Sequence, residues 1–362
     1  MKPWPFLRKG ISLAEATALT RLAERLRNFP ARLGTKIMEV CGTHTVAIRR
    51  SGLQHLLPAG VKLVSGPGCP VCVTPDSFID EAVALARQGV VVTSFGDMLR
   101  VPGSRSSLEK ERAAGADIRA VYSPLDALQI AADCGRETVF LAVGFETTAP
   151  AIAAAAMKAL EKKIANFSLL TALRLVPPAL QALTAADTRL SGFLLPGHVS
   201  AVIGMQAYDF LLERRLPGVI SGFTAEDIIS SLLLLLEMYN KDIYKVMNNY
   251  PRVVRDNGNE KSRQVLAEVF ENVDAEWRGL GTIPASGLQL RPAFAGLDSR
   301  RRFAIPSETV RPRRGCRCGD VLRGLIDPPA CPLFNKACRP DRPLGPCMVS
   351  SEGSCSAWVT YG

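Results

Sequence analysis

Nine of the ten cysteines in this 362-residue chain fall into three groups whose spacing could do chemistry. The largest group is in the tail. Cys331, Cys338, Cys347 and Cys355 form C-x6-C-x8-C-x7-C, with prolines between them, and Cys316 and Cys318 add a C-x-C pair just upstream. Wide, proline-broken spacings let irregular loops bring four thiolates around one centre, as both a 4Fe-4S cluster and a structural zinc site require. None of the three histidines lies there, so a mixed Cys/His zinc site is excluded. The short C-x2–4-C knuckles usual for structural zinc are also absent. The spacing favours a cluster and leaves all-cysteine zinc open.

The second group is Gly66-Pro67-Gly68-Cys69-Pro70-Val71-Cys72. A C-x-x-C that ends a strand and enters a helix is a place where thiol pKa falls and a small disulfide can open and close. The plainer reading is half of a zinc knuckle, or two buried thiols. The third group is Cys41-Gly42-Thr43-His44-Thr45. Either residue alone could be structural. Together, at a strand end opposite another cysteine turn, Cys41 and His44 suit a soft metal site or a nucleophile–base pair. Asp97, Glu146 and His198 sit in further strand-end turns, where each could support the site or merely cap a helix. Cys134, alone on a helical stretch, reads as buried and inert.

Short apolar β runs alternate with helical stretches and hold these turns in place. The strands are expected at Lys36–Val40, Val61–Val64, Val90–Ser94, Ile118–Tyr122, Thr138–Val143, Leu169–Leu173 and Gly192–Leu195. Such alternation argues for parallel sheets with right-handed crossovers, whose ligands bind beyond the carboxyl ends of the strands. Residues 37–45 and 141–148 share an apolar run into a Thr-rich turn, and 63–69 resemble 194–198, which suggests a duplicated α/β unit. An opening helix is expected over Leu13–Arg27 behind a Ser12/Glu15 capping box, and long helices over Thr224–Asn248 and Glu260–Arg278. The division is then a helical segment at 1–34, one α/β domain with both cysteine turns at 35–135, and a second at 136–222. A helical segment at 223–280 and a basic, Cys-rich domain at 281–362 complete it.

Composition narrows the class. Hydrophobic content of 47% and charged content of 22% describe a globular protein with a sizeable core. No stretch reads as membrane-spanning: the leucine run 232–236 is five residues long, and Ala149–Leu160 is short and carries Lys158. The N-terminus MKPWPFLRKG lacks an apolar signal core, so a cytoplasmic protein with reduced thiols is expected. The net charge of +10 is concentrated between Arg291 and Arg323. That segment has no interleaved aromatics and no nucleic-acid-binding signature, so a solvated face or a dock for an acidic protein is the better reading.

CGTHT at 41–45, GPGCPVCVTP at 66–75, SFGDMLRVPGS at 94–104, GFETTAP at 144–150, PGHVSAVIG at 196–204 and the tail from Cys316 follow in one order. In that order the chain resembles the HypD family of NiFe-hydrogenase maturation factors over nearly its whole length. The resemblance implies two similar parallel-sheet α/β domains, added helices and a small C-terminal iron–sulfur module. It implies a scaffold on which, with a HypC-like chaperone, the Fe(CN)2CO group of the hydrogenase is assembled on Fe(II). Cyanide would come from HypE, which carries it as a thiocyanate made with HypF. Cys41 would be the iron-binding cysteine and Cys69 and Cys72 the redox pair, all three iron-associated, with His44 shuttling a proton or supporting the metal. Cys331, Cys338, Cys347 and Cys355 would hold the 4Fe-4S cluster, with Cys316 and Cys318 as alternative ligands. Neither nucleic acid nor membrane is an expected partner. The rival readings are a stand-alone iron–sulfur-dependent thiol-disulfide reductase and a zinc-stapled nucleic-acid-binding protein.

Overall fold

Segments such as Thr138–Gly144 are apolar on both faces, the pattern of a parallel strand covered on each side by helices, and every residue of that segment is buried. The computed structural model describes residues 13–185, 189–306 and 315–362. Its strands are β1 (Thr35–Glu39), β2 (Val61–Ser65), β3 (Val91–Ser94), β4 (Ile118–Ala120), β5 (Thr138–Gly144), β6 (Phe167–Arg174), β7 (Gly192–Pro196), β8 (Gly218–Ser221), β9 (Val246–Asn248), β10 (Phe270–Trp277) and β11 (Gly281–Leu290). All seven expected strands form, within a few residues of the expected bounds.

They make two sheets. The first has the order β2-β1-β7-β8-β9 and is parallel throughout. The second has the order β10-β11-β6-β5-β3-β4, parallel from β6 to β4, with the β10–β11 hairpin joined antiparallel to β6. The chain begins in the first sheet, builds most of the second, returns through β7, β8 and β9, and crosses back for the hairpin. Consequently a sequential cut after residue 135 falls between strands of one sheet, with β3 and β4 on one side and β5 and β6 on the other. The two cysteine turns follow β1 and β2, in the first sheet. The likeness of 63–69 to 194–198 joins β2 and β7, which flank β1 in that same sheet.

Two expected helices are shorter than their patterns. The helix Ala225–Asn240 starts with a Thr224/Asp227 capping box and stops before Asp242, whose φ is +53°; β9 follows. The helix Glu260–Val269 gives way to β10, because Phe270, Ala275 and Trp277 are buried against the hairpin partner, with a bulge between Val273 and Ala275. The opening helix spans Leu13–Arg27 as expected, while Ser12 lies outside the described residues. Among the described residues no helix is long and apolar enough to cross a membrane.

Much of the basic segment is tied into the fold. Arg300 pairs with Glu81, Arg302 with Glu137 and Arg317 with Asp320. Arg291 and Arg323 donate to the carbonyls of Phe270 and Gly279. Arg311, Arg313 and Arg314 lie outside the described residues. The tail has only short helices, Cys318–Leu322, Pro346–Val349 and Ser354–Tyr361, and the last packs on the helix Gly42–Arg50.

Candidate functional site

Cys41 follows β1 in extended backbone (φ −150°, ψ 127°) and caps the helix Gly42–Arg50. Its half-buried sulfur takes hydrogen bonds from the backbone of His44 and Thr43. Burial, and then the Glu352 carboxylate, outweigh them and push the thiol up to about 12. A bound metal ion would reverse that balance by favouring thiolate. Behind the turn, Glu39 accepts from the Cys41 N–H (3.3 Å) and from Thr45 Oγ1 (2.5 Å), and burial raises its carboxyl to about 8.

The Cys69 turn lies directly against this one. Gly42 N–H donates to Gly68 O (2.9 Å) and Gly66 N–H to Glu39 O (2.8 Å). A Cβ on Gly68 would collide with the backbone of Val40 and Cys41, so only glycine allows so close an approach. Cys69 caps the short helix Pro70–Val73 and is joined to Cys72 by a disulfide. Both are buried in one apolar core with Cys347, and Cys318 and Cys355 pack against that core.

All six tail cysteines line one small apolar cavity, closed in part by Leu333 and Met348. Cys316 and Cys318, whose part the spacing left open, therefore stand beside Cys331, Cys338, Cys347 and Cys355. The hydrogen bond between Cys316 and Cys318, helped by the Arg278 guanidinium, lowers Cys318 to about 6, while Cys316 keeps its proton. Arg278 itself forms a buried ion pair with Asp76. Burial raises Cys347 and pushes Cys355 up to about 12. Among the described residues no three Cys, His, Asp or Glu side chains are arranged to grip a single metal ion.

His44 is fully buried. Its Nε2–H donates to Gly222 O at 2.9 Å, and Nδ1 has no partner. Burial lowers it to about 4, so the ring is neutral at physiological pH. It stacks on Phe223 (centroids 4.6 Å apart), which stacks in turn on His198 (4.0 Å). His198 is thus joined to the Cys41 turn through one aromatic ring. Asp97 reaches the turn by another route. Ser350 Oγ donates to Asp97 (3.2 Å) and accepts from Glu352 N–H (3.2 Å), and Glu352 Oε1 accepts from Thr43 Oγ1 (2.7 Å). Glu146 is buried, with Oε1 bonded to Val176 N–H (2.8 Å) and Oε2 unpartnered, and burial raises it to about 7. It lies within electrostatic reach of buried Tyr208, which also feels Cys41 and shares a hydrogen bond with Ser200. Cys134 is half-buried and apart from the other thiols.

Sequence reasoning missed Glu39, Gly222, Phe223, Tyr208, Ser350 and Glu352. Only the position of Gly222-Phe223 just after an apolar run, and the glycine beside Glu352, could have flagged any of them.

The fold and these turns define an α/β protein that sets thiols at the carboxyl ends of parallel strands and gathers more in a C-terminal pocket. Residues 17–362 match the model of HypD, the hydrogenase formation hypA family. The chain is 45% identical to the hydrogenase maturation factor HypD of Rhizobium leguminosarum bv. viciae, over 97% of this chain and 93% of that protein. It is 44% identical to the HypD of Rhodobacter capsulatus (99% and 96% covered) and 42% identical to that of Escherichia coli K12 (94% of each). The chain belongs to the HypD family of hydrogenase maturation factors.

Proposed function

We propose that this protein is a cytoplasmic scaffold that, with a HypC-like chaperone, assembles the Fe(CN)2CO group of NiFe hydrogenase and receives its cyanide from HypE. The observation that carries the reading is the contiguity of the thiols. Cys41 abuts the Cys69 turn through backbone contact, and Cys69 and Cys72 share a core with Cys347 of the six-cysteine cavity.

In this reading Cys41 holds the iron as cargo on one side, leaving open positions for cyanide and carbonyl. His44, neutral and fixed by Gly222 and Phe223, keeps the turn in shape and offers an acceptor at Nδ1. Reductive cleavage of a thiocyanate takes two electrons and one proton and yields cyanide and a thiol. The Cys69/Cys72 dithiol supplies two electrons and two protons as it closes. The second proton passes to solvent. Cys331, Cys338, Cys347 and Cys355 would hold the 4Fe-4S cluster, with Cys316 and Cys318 close enough to take a ligand's place. A cavity walled by six sulfurs and apolar groups supplies the all-thiolate surroundings that such a cluster takes. Such a cluster would supply single electrons.

The test is iron, zinc and acid-labile sulfide per chain after purification without oxygen. About four iron and four sulfide, lost in Cys338→Ser, are expected, with further iron removed by Cys41→Ala. One zinc and no sulfide would sink the reading. Normal yield of cyanide-bearing iron from Cys69→Ala and Cys72→Ala proteins would refute the dithiol's part.

A further inference from the structure

A cleft on the far side of the cysteine cavity plays no part in the site above. It runs between the loop at residues 100–107 and the tail loop at 339–344. Arg100, Arg105, Lys110 and Arg342 line it, against the carboxylates of Glu109 and Asp341. Asp341 is already engaged by Arg339 at 3.1 Å. Among the described residues neither Lys110 nor Arg342 is paired with a carboxylate.

The cleft is not a phosphate cradle, although three serines border it. Ser104 Oγ donates to Asp80 (2.6 Å), Ser106 bonds Glu111, and Ser107 Oγ accepts from Lys110 N–H (3.4 Å). Their hydroxyls are committed to the loop's own fold. No aromatic ring lines the cleft on which a base could stack. What remains are long cations beside Leu333, Leu344 and two prolines, a surface that suits the carboxylate-rimmed face of another protein.

The wall between cleft and cavity is one residue thick. Leu333 lines both. Leu344 lines the cleft while its backbone N–H donates to Cys338 Sγ at 3.3 Å. Arg100 Nη2 clamps the tail loop through Pro340 O (2.7 Å).

We propose that this cleft docks an acidic protein that carries electrons one at a time, bringing its redox group over Leu333 and Leu344 beside Cys338. The inference rests on the reading of the tail as a cluster module. Each docking oxidises the carrier by one electron. Two such deliveries, with two protons from solvent, reopen the Cys69–Cys72 disulfide to two thiols.

Flavodoxin, a small acidic flavin protein, is the probe, used with the full chain purified without oxygen. Its affinity is measured by calorimetry at low and at physiological ionic strength, and the reopening of Cys69–Cys72 by its reduced form is followed by alkylation and mass spectrometry. Binding that weakens with salt is expected. Lys110→Glu with Arg342→Glu should weaken it about tenfold at low salt and slow reopening by flavodoxin, but not by dithiothreitol. Lys158→Glu with Lys162→Glu, an equal charge change on an exposed helix end elsewhere, should do neither. Absence of binding, or equal loss from both double variants, overturns the proposal. Cleft-dependent binding to a chain with no iron or sulfide would leave the docking site standing and sink the cluster reading instead.

Discussion

Glu146→Gln exchanges a buried carboxyl for its uncharged isostere and should change how stability depends on pH. In the native chain burial raises Glu146 from its ordinary 4.5 to about 7, with Oε1 held by Val176 N–H and Oε2 bonded to nothing. The folded state therefore keeps a proton that the unfolded state has released between those two values. Stability from this group is complete below pH 4.5, declines as pH rises through the window, and levels off above about 7. The gap corresponds to a loss on the order of 3 kcal/mol. Glutamine keeps the bond from Val176 and has no proton to lose. Urea unfolding of both proteins at a series of pH values is the assay. The stability of the variant minus that of the parent should climb between pH 4.5 and about 7 and then flatten. Glu39, raised to about 8 for the same reason, tilts both curves alike and cancels in the difference. A difference that is constant with pH, or that falls, would refute the argument from burial.

Gly68→Ala should cost about 2 kcal/mol or more, because the new Cβ meets backbone that cannot give, and should speed alkylation of Cys41. Gly96→Ala, with nothing within 4 Å of the new Cβ, should leave the melting temperature nearly unchanged. Arg278→Met removes the buried ion-pair partner of the Asp76 carboxylate and should lower stability by about 3 kcal/mol in thermal unfolding. Adding Asp76→Asn should restore part of the loss. Trp358→Ala removes the ring that Arg49 covers at 3.3 Å, worth about 1–2 kcal/mol, and should loosen the last helix, read as faster alkylation of Cys355.

The alternation of apolar runs and glycine turns made the strands and their cysteine turns legible, because both arise from neighbours in sequence. Which strands share a sheet was not legible. Ile37 pairs with Gly192 and also with Leu63, and no local pattern records that choice. The β10–β11 hairpin hid behind a helical pattern that continued past Val269, where tertiary burial of Phe270 and Trp277 decided the outcome. Spacing alone could not resolve Cys316 and Cys318, since only folding shows that they face the other four thiols. Glu352 and Phe223 matter through contacts made across the whole chain.

A ribosome delivers Thr43 of the cysteine turn 309 residues before Glu352, the carboxylate it bonds. Gly222 and Phe223, which hold His44, arrive midway, and the indole that covers Arg49 comes later still. A nascent chain thus exposes Cys41 on a turn whose neighbours do not yet exist. The thiol turn gains its carboxylate neighbour only once Glu352 has been made, so a chain broken off before that residue presents Cys41 on an incomplete turn.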